Sequence, residues 1–211
     1  MSVLPLVFTS GWASGINAYA LVLLLGVFGA TGVSDEIPAA LQRPEVLAVA
    51  GALFLCEAVA DKIPYVDTAW DSVHTLVRPV VGAWVGALLA GHSGSLSDVV
   101  GGLVGGSTAL AGHTVKAGTR MAVNTSPEPF SNLIVSMAED LGVAGIVTFA
   151  MFHPLPAAIV AGALLLAGLV VLFLLVSRIR RFLRRRAQRR EERRLGREEL
   201  GPAARPGRPP D

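Results

Sequence analysis

Glu57 and Asp61 in LFLCEAVAD, and Glu139 and Asp140 in IVSMAEDLG, are carboxylates set inside apolar runs. An ionisable group at the centre of a membrane helix costs about 2.5–3.5 kcal/mol on insertion scales, so such groups ordinarily face a protein interior and mark function. Glu57 and Asp61 are four residues apart and share one helix face. Glu139 and Asp140 are adjacent and diverge by about 100°, so one of them faces a given partner. Lys62, Arg78, Lys116 and Arg120 are the cations available to compensate them. Two chemistries fit. Glu57 and Glu139 can oppose each other near the midplane and exchange protons or coordinate a cation. Alternatively, the same groups form buried ion pairs with Arg78 and Arg120 that lock the bundle.

Three polar strings supply further candidates. In DKIPYVDTAWDSVHTLVRP, Asp67 and Asp71 are again spaced by four, and His74 and Arg78 continue that spacing. Asp61, Asp67 and Asp71 could hold Mg²⁺ through oxygen ligands and position a lipid or isoprenoid phosphate. The competing expectation is an interfacial helix with Trp70 at headgroup level and its acids in water. In GHTVKAGTRMAVNTSPEPFSN, the residues Lys116, Thr119, Arg120, Asn124, Thr125 and Ser126 present donors suited to an anion or a lipid headgroup. Pro127 and Pro129 stiffen that stretch, and Ser131 is positioned as a helix cap. In GWASGINAY, Gly11 and Gly15 have the spacing of a close helix crossing, and Ser14 and Asn17 are polar groups within a span. A helix break that opens backbone groups to a substrate is the alternative reading there. No nucleotide-binding loop, zinc-protease, serine-hydrolase or CxxC signature occurs. His74, His92, His113 and His153 are scattered, with no transition-metal spacing.

The elements that must position these groups are apolar helices. The 211 residues have a mean hydropathy of +0.57 and are 16% charged, far below the about 25% usual in soluble domains. Six segments approach the about 20 apolar residues that a span needs: 4–30, 46–62, 73–90, 96–115, 133–152 and 155–177. The fourth, rich in glycine, must be shielded by protein neighbours or broken. Cys56, the only cysteine, excludes an internal disulfide and reads as a small buried side chain. The N-terminus has no basic stretch of the kind that opens a cleaved signal peptide.

Charge is divided unevenly. Residues 1–177 carry five basic and eleven acidic side chains, and residues 178–211 carry thirteen and five. The positive-inside rule places the tail in the cytoplasm, and six spans then place the N-terminus there too, with Lys62, Lys116 and Arg120 inside. From Arg178 to Arg194 the chain reads as a basic helix on anionic lipid headgroups, each charge contributing about 1 kcal/mol near the surface. It lacks interleaved aromatics, so nucleic acid is not the expected partner. From residue 201 the Pro/Gly-rich end reads as disordered.

GWASGINAY, EAVADKIPYVDTAWDSVHTLVRP and KAGTRMAVNTSPEPFSN together resemble the bacterial multi-pass membrane-protein family DUF4126. The resemblance runs over about residues 8–150 and leaves out the basic tail. It implies a multi-pass membrane fold and no particular chemistry.

The expectation is therefore an all-α bacterial inner-membrane protein of six spans, a 3+3 inverted repeat with halves at about 1–92 and 93–177, followed by a cytoplasmic tail at 178–211. An odd number of spans per half inverts the second copy, as in many secondary transporters. The polar centre combines Glu57, Asp61, Arg78, Glu139, Asp140 and Asn17. It suits a transporter or channel for an ion or small solute, in a homo-oligomer because 22.0 kDa is small for a transport path. The alternatives are the Mg²⁺-dependent phosphate enzyme at the cytoplasmic rim and a non-catalytic membrane scaffold. No cofactor is indicated beyond the Mg²⁺ of the first alternative.

Overall fold

In a computed structural model, residues 3–63, 65–91, 95–123 and 129–199 are described. Within them the chain is helical: α1 Leu4–Ala30, α2 Pro44–Ala60, α3 Val66–Ala90, α4 Ser95–Val123, α5 Pro129–Phe152 and α6 Pro154–Glu199. Four of these, α1, α3, α5 and α6, are long and apolar enough to cross a membrane. α2 has 17 residues, short of the about 20 that crossing takes. α4 has the length, but its many glycines and polar groups dilute its hydropathy.

Two compact units divide the chain, Met1–Leu169 and Val170–Asp211. In the first, α1 is the hub and packs against α2, α3, α4 and α5, while α3 and α4 form the closest pair. The apolar core joins Leu21 and Leu25 of α1, Val85 and Leu89 of α3, Val143 and Val147 of α5, and Ala157 and Ala161 of α6. Ile37 and Leu41, in the α1–α2 connection, belong to the same core. The outside is apolar as well. Leu76 and Val80 of α3, Ile134 and Leu141 of α5, and Leu155 and Ile159 of α6 are all exposed. An apolar exterior is what a protein solvated by lipid requires.

Glycine brings α4 into contact with both of its neighbours. A Cβ on Gly11 would lie 2.6 Å from the Gly105 carbonyl oxygen, and one on Gly82 would lie 2.8 Å from the same atom. The glycine-rich fourth segment is thus an unbroken helix shielded between α1 and α3. α1 is the helix that breaks. Asn17 is extended, at φ −147° and ψ 97°, and divides α1 into 4–16 and 18–30.

In the second unit the chain is helical to Glu199. Its side chains from Arg178 to Arg189 are exposed, and Arg186 lies 4.9 Å from the centre of the Phe182 ring. The stretch expected to be disordered, from 201 on, lies outside the described residues.

Three local expectations are corrected. Cys56 is exposed, because α2 turns Glu57 inward and its neighbour outward. α3 begins at Val66, so Asp67 and Asp71 lie within its buried stripe at 0% and 4% exposure and are not in water. α5 starts at Pro129, a favoured first residue because proline needs no N–H acceptor there, and Ser131 is inside its first turn, not at its cap.

Candidate functional site

Steps of three and four residues along α3 put Asp67, Asp71, His74 and Arg78 on one buried face, continued by Gly82. On α4, His113, Lys116 and Arg120 follow the same rule, and all three are buried. α2 turns Glu57 and Asp61 toward these two helices. α5 presents Glu139 to Lys116 and Arg120, and Asp140 to α1.

Arg78 is fully buried. It donates to Glu57 Oε1 at 2.5 Å and to His113 Nδ1 at 2.7 Å, and its guanidinium lies 3.0 Å from Asp71 Oδ1. The Lys116 ammonium lies 2.8 Å from Asp61 Oδ2, 3.3 Å from Glu57 Oε1 and 3.5 Å from Glu139 Oε2. Arg120 donates to Glu139 Oε2 at 2.6 Å, to Asp61 Oδ2 at 3.1 Å and to the Asp61 carbonyl at 2.9 Å. Glu57 and Glu139 therefore do not face each other. Lys116 stands between them, and the set is one continuous ion-pair network.

The break in α1 is built into the same network. Lys116 donates to the Ile16 carbonyl at 2.9 Å, and Arg78 reaches the Gly15 carbonyl at 3.5 Å. Both cations thus sit at the carbonyl end of the first half-helix, the negative end of its dipole. Asn17 caps the second half, its Oδ1 accepting the Ala20 N–H at 2.9 Å. Its Nδ2 donates to Asp140 Oδ1 at 3.0 Å, and Ser14 donates to the Arg78 carbonyl at 2.8 Å. One asparagine stabilises the break and joins it to α5. Glu139 and Asp140, which diverge around α5, accordingly serve two different partners.

The two histidines have defined tautomers. Arginine has no acceptor, so His113 Nδ1 accepts from Arg78 and its Nε2–H points to Thr75 Oγ1 at 3.1 Å. His74 Nδ1 lies 2.7 Å from the Trp70 carbonyl, which can only accept, so Nδ1 carries a proton, and Nε2 lies 2.9 Å from the Tyr19 hydroxyl. The His74 ring also stacks on Trp70 at 4.7 Å. Sequence reading set His113 aside as a scattered residue. Its three- and seven-residue spacing to Lys116 and Arg120 was the available signal.

Charge does not balance. Glu57, Asp61, Asp71, Glu139 and Asp140 accompany Arg78, Lys116 and Arg120, two negative charges in excess if every group is ionised. Glu57 Oε2, Asp61 Oδ1 and Asp71 Oδ2 are buried without a hydrogen-bond partner among the described residues. Among the described residues no three of His, Cys, Asp and Glu come together to hold a metal ion. Asp61 and Asp71 go instead to the cations, and Asp67 Oδ1 accepts the Thr68 N–H at 2.6 Å. Lys116 and Arg120, counted as loop charges from sequence, are interior groups of α4. The proposed headgroup contacts Asn124, Thr125 and Ser126 lie outside the described residues, as does His92.

No curated protein and no solved structure matches this sequence. A match does extend over residues 4–174 to the family described as a domain of unknown function, DUF4126, which takes in all three polar strings and every charged residue of the network. The chain belongs to the DUF4126 family.

Proposed function

We propose that this chain is a small membrane transport protein, a carrier or channel for an ion or small solute, whose path passes the ion-pair network at the break of α1. The observation that carries this reading is the excess of buried carboxylates at an interrupted helix. Half-helix ends that meet charged side chains inside a membrane bundle are the usual sites for substrate and coupling ions in secondary transporters. The unpartnered oxygens of Glu57, Asp61 and Asp71 are acceptors that a proton or a hydrated cation would satisfy. Glu139, 15% exposed where Glu57 is fully buried, is the carboxylate through which exchange begins.

In this reading all six helices cross the membrane, α2 and α4 being tolerated because their polar faces turn inward. A 3+3 inverted repeat is supported by Glu57 of α2 and Glu139 of α5 converging on one lysine. With Lys116 and Arg120 interior, orientation rests on the basic tail, which favours cytoplasmic termini in a bacterial inner membrane and contact with anionic lipid. A homo-oligomer would widen the path.

Flux in proteoliposomes, screened over protons, monovalent and divalent cations and common anions, tests the proposal. The Glu57→Gln/Glu139→Gln variant is expected to lose the flux that the parent chain shows. Undiminished flux in that variant would overturn the assignment of the path.

A further inference from the structure

Within the first unit a cavity of about 240 Å³ opens beside the network, where α4 and α5 barely touch. Trp12 and Ile16 of α1 and Leu164 and Leu165 of α6 give it apolar walls, and Lys116 and Glu139 give it charge. Lys116 has nothing to offer a ligand. Its three N–H groups face four protein oxygens within 3.5 Å, and it is 3% exposed. Glu139 differs: Arg120 and Lys116 both approach its Oε2, and part of its side chain stays exposed. The cavity therefore presents the Glu139 carboxylate as its charged acceptor, while the Lys116 and Thr119 donors are already engaged within the protein. An anionic amphiphile would meet that carboxylate, and a bare inorganic ion would meet mostly apolar wall.

We propose that this cavity binds a small amphipathic organic cation, with its ammonium at Glu139 and its apolar body along Trp12, Ile16, Leu164 and Leu165. An indole wall suits the apolar body of such a ligand, since tryptophan offers a large apolar contact area. At the about 30 Å³ that a liquid water occupies, the volume equals roughly eight waters, which suits an organic molecule of on the order of ten heavy atoms. The inference names a substrate class for the transport reading and rests on it for physiological sense.

The test is saturable binding of benzyltrimethylammonium to the full chain in zwitterionic nanodiscs, followed by equilibrium dialysis. Neopentylbenzene, its neutral isostere, and phenylacetate, an anion of similar size, should not compete. Gly142 lines the cavity, and a Cβ there meets nothing within 4 Å, so Gly142→Phe is the variant chosen to occupy the space. Gly145, on the same helix and equally unobstructed, is not part of the lining, so Gly145→Phe is the control. Gly142→Phe and Glu139→Gln should each weaken binding at least about tenfold, and Gly145→Phe should stay within about twofold. Absence of saturable binding, preference for phenylacetate, or full binding by Gly142→Phe would overturn the proposal. Binding that depends on Gly142 and Glu139 without flux of any solute would leave this site standing and overturn the transport reading. Carboxylate-dependent flux without cation binding would do the reverse.

Discussion

The α3–α4 pair solves one problem in opposite ways at its two ends. At one end Gly82 and Gly86 meet Gly101 and Gly105, and a Cβ on Gly82 would lie 2.6 Å from that of Ala109. At the other, Arg78 meets His113, and Lys116 and Arg120 reach across to α2 and α5. Lipid gives no hydrophobic drive for helices to associate, so backbone packing and polar contacts must supply it. The glycine end does so by van der Waals contact and tolerates almost nothing larger than hydrogen. The charged end does so by electrostatics, and it spends much of that attraction on burying its own members. The glycine contact fixes the helix separation, so the charged groups meet at hydrogen-bond distance without having to set it themselves.

Breaking the charged end should do the most damage. Arg78→Ala takes the guanidinium from buried Asp71 and leaves Glu57 with Lys116 alone, and the cost expected is about 3–5 kcal/mol. SDS-titrated unfolding in mixed micelles measures it. The double replacement Arg78→Met/Glu57→Leu should recover much of that loss, because removing both partners leaves fewer uncompensated charges. A double variant as unstable as Arg78→Ala would mean that Asp71 and His113, not Glu57, set the cost. The glycine end comes next. Gly105→Ala puts a methyl group against the α3 backbone at Gly82 and Gly86, with an expected loss of about 1–3 kcal/mol in the same titration.

Asn17→Ala tests the join between the ends and should cost about 0.5–2 kcal/mol through the lost cap. It should also speed amide exchange at Ala20, whose N–H loses its acceptor. The smallest effect is a gain: Gly142→Ala, in open space on α5, should stabilise by up to about 1 kcal/mol through helix propensity. A loss there would show that the cavity wall is tighter than its geometry indicates.

Much of this arrangement is legible in the sequence. Four-residue spacing puts Glu57 with Asp61, seven-residue spacing puts Asp71 with Arg78, and adjacency separates Glu139 from Asp140. GWASGINAY reads as a crossing or a break: Gly11 and Gly15 cross α4 and Asn17 interrupts the helix, with the Ile16 and Gly15 carbonyls turned to Lys116 and Arg78. What periodicity cannot supply is partner choice. That Lys116 stands between two glutamates depends on the placement of α2 and α5 around α4, a long-range property. His113 escaped notice because a lone histidine has no signature until its neighbours' faces are known. Lys116 and Arg120 looked like loop charges because the glycines before them lower the local hydropathy, although the helix runs on to Val123.

Lys116 gathers α1, α2 and α5 around α4, and this has a consequence for biogenesis. Asp61 precedes Lys116 by 55 residues, which at about 5–20 residues per second is roughly 3–11 s of synthesis. Glu57 and Arg78, only 21 residues apart, can pair long before that. A nascent chain arrested before residue 116 would hold Asp61 without its lysine, while one extended past Glu139 holds the complete set. Maturation would then be timed by the arrival of a single ammonium group, and quality control at the membrane would meet its most vulnerable substrate in that interval.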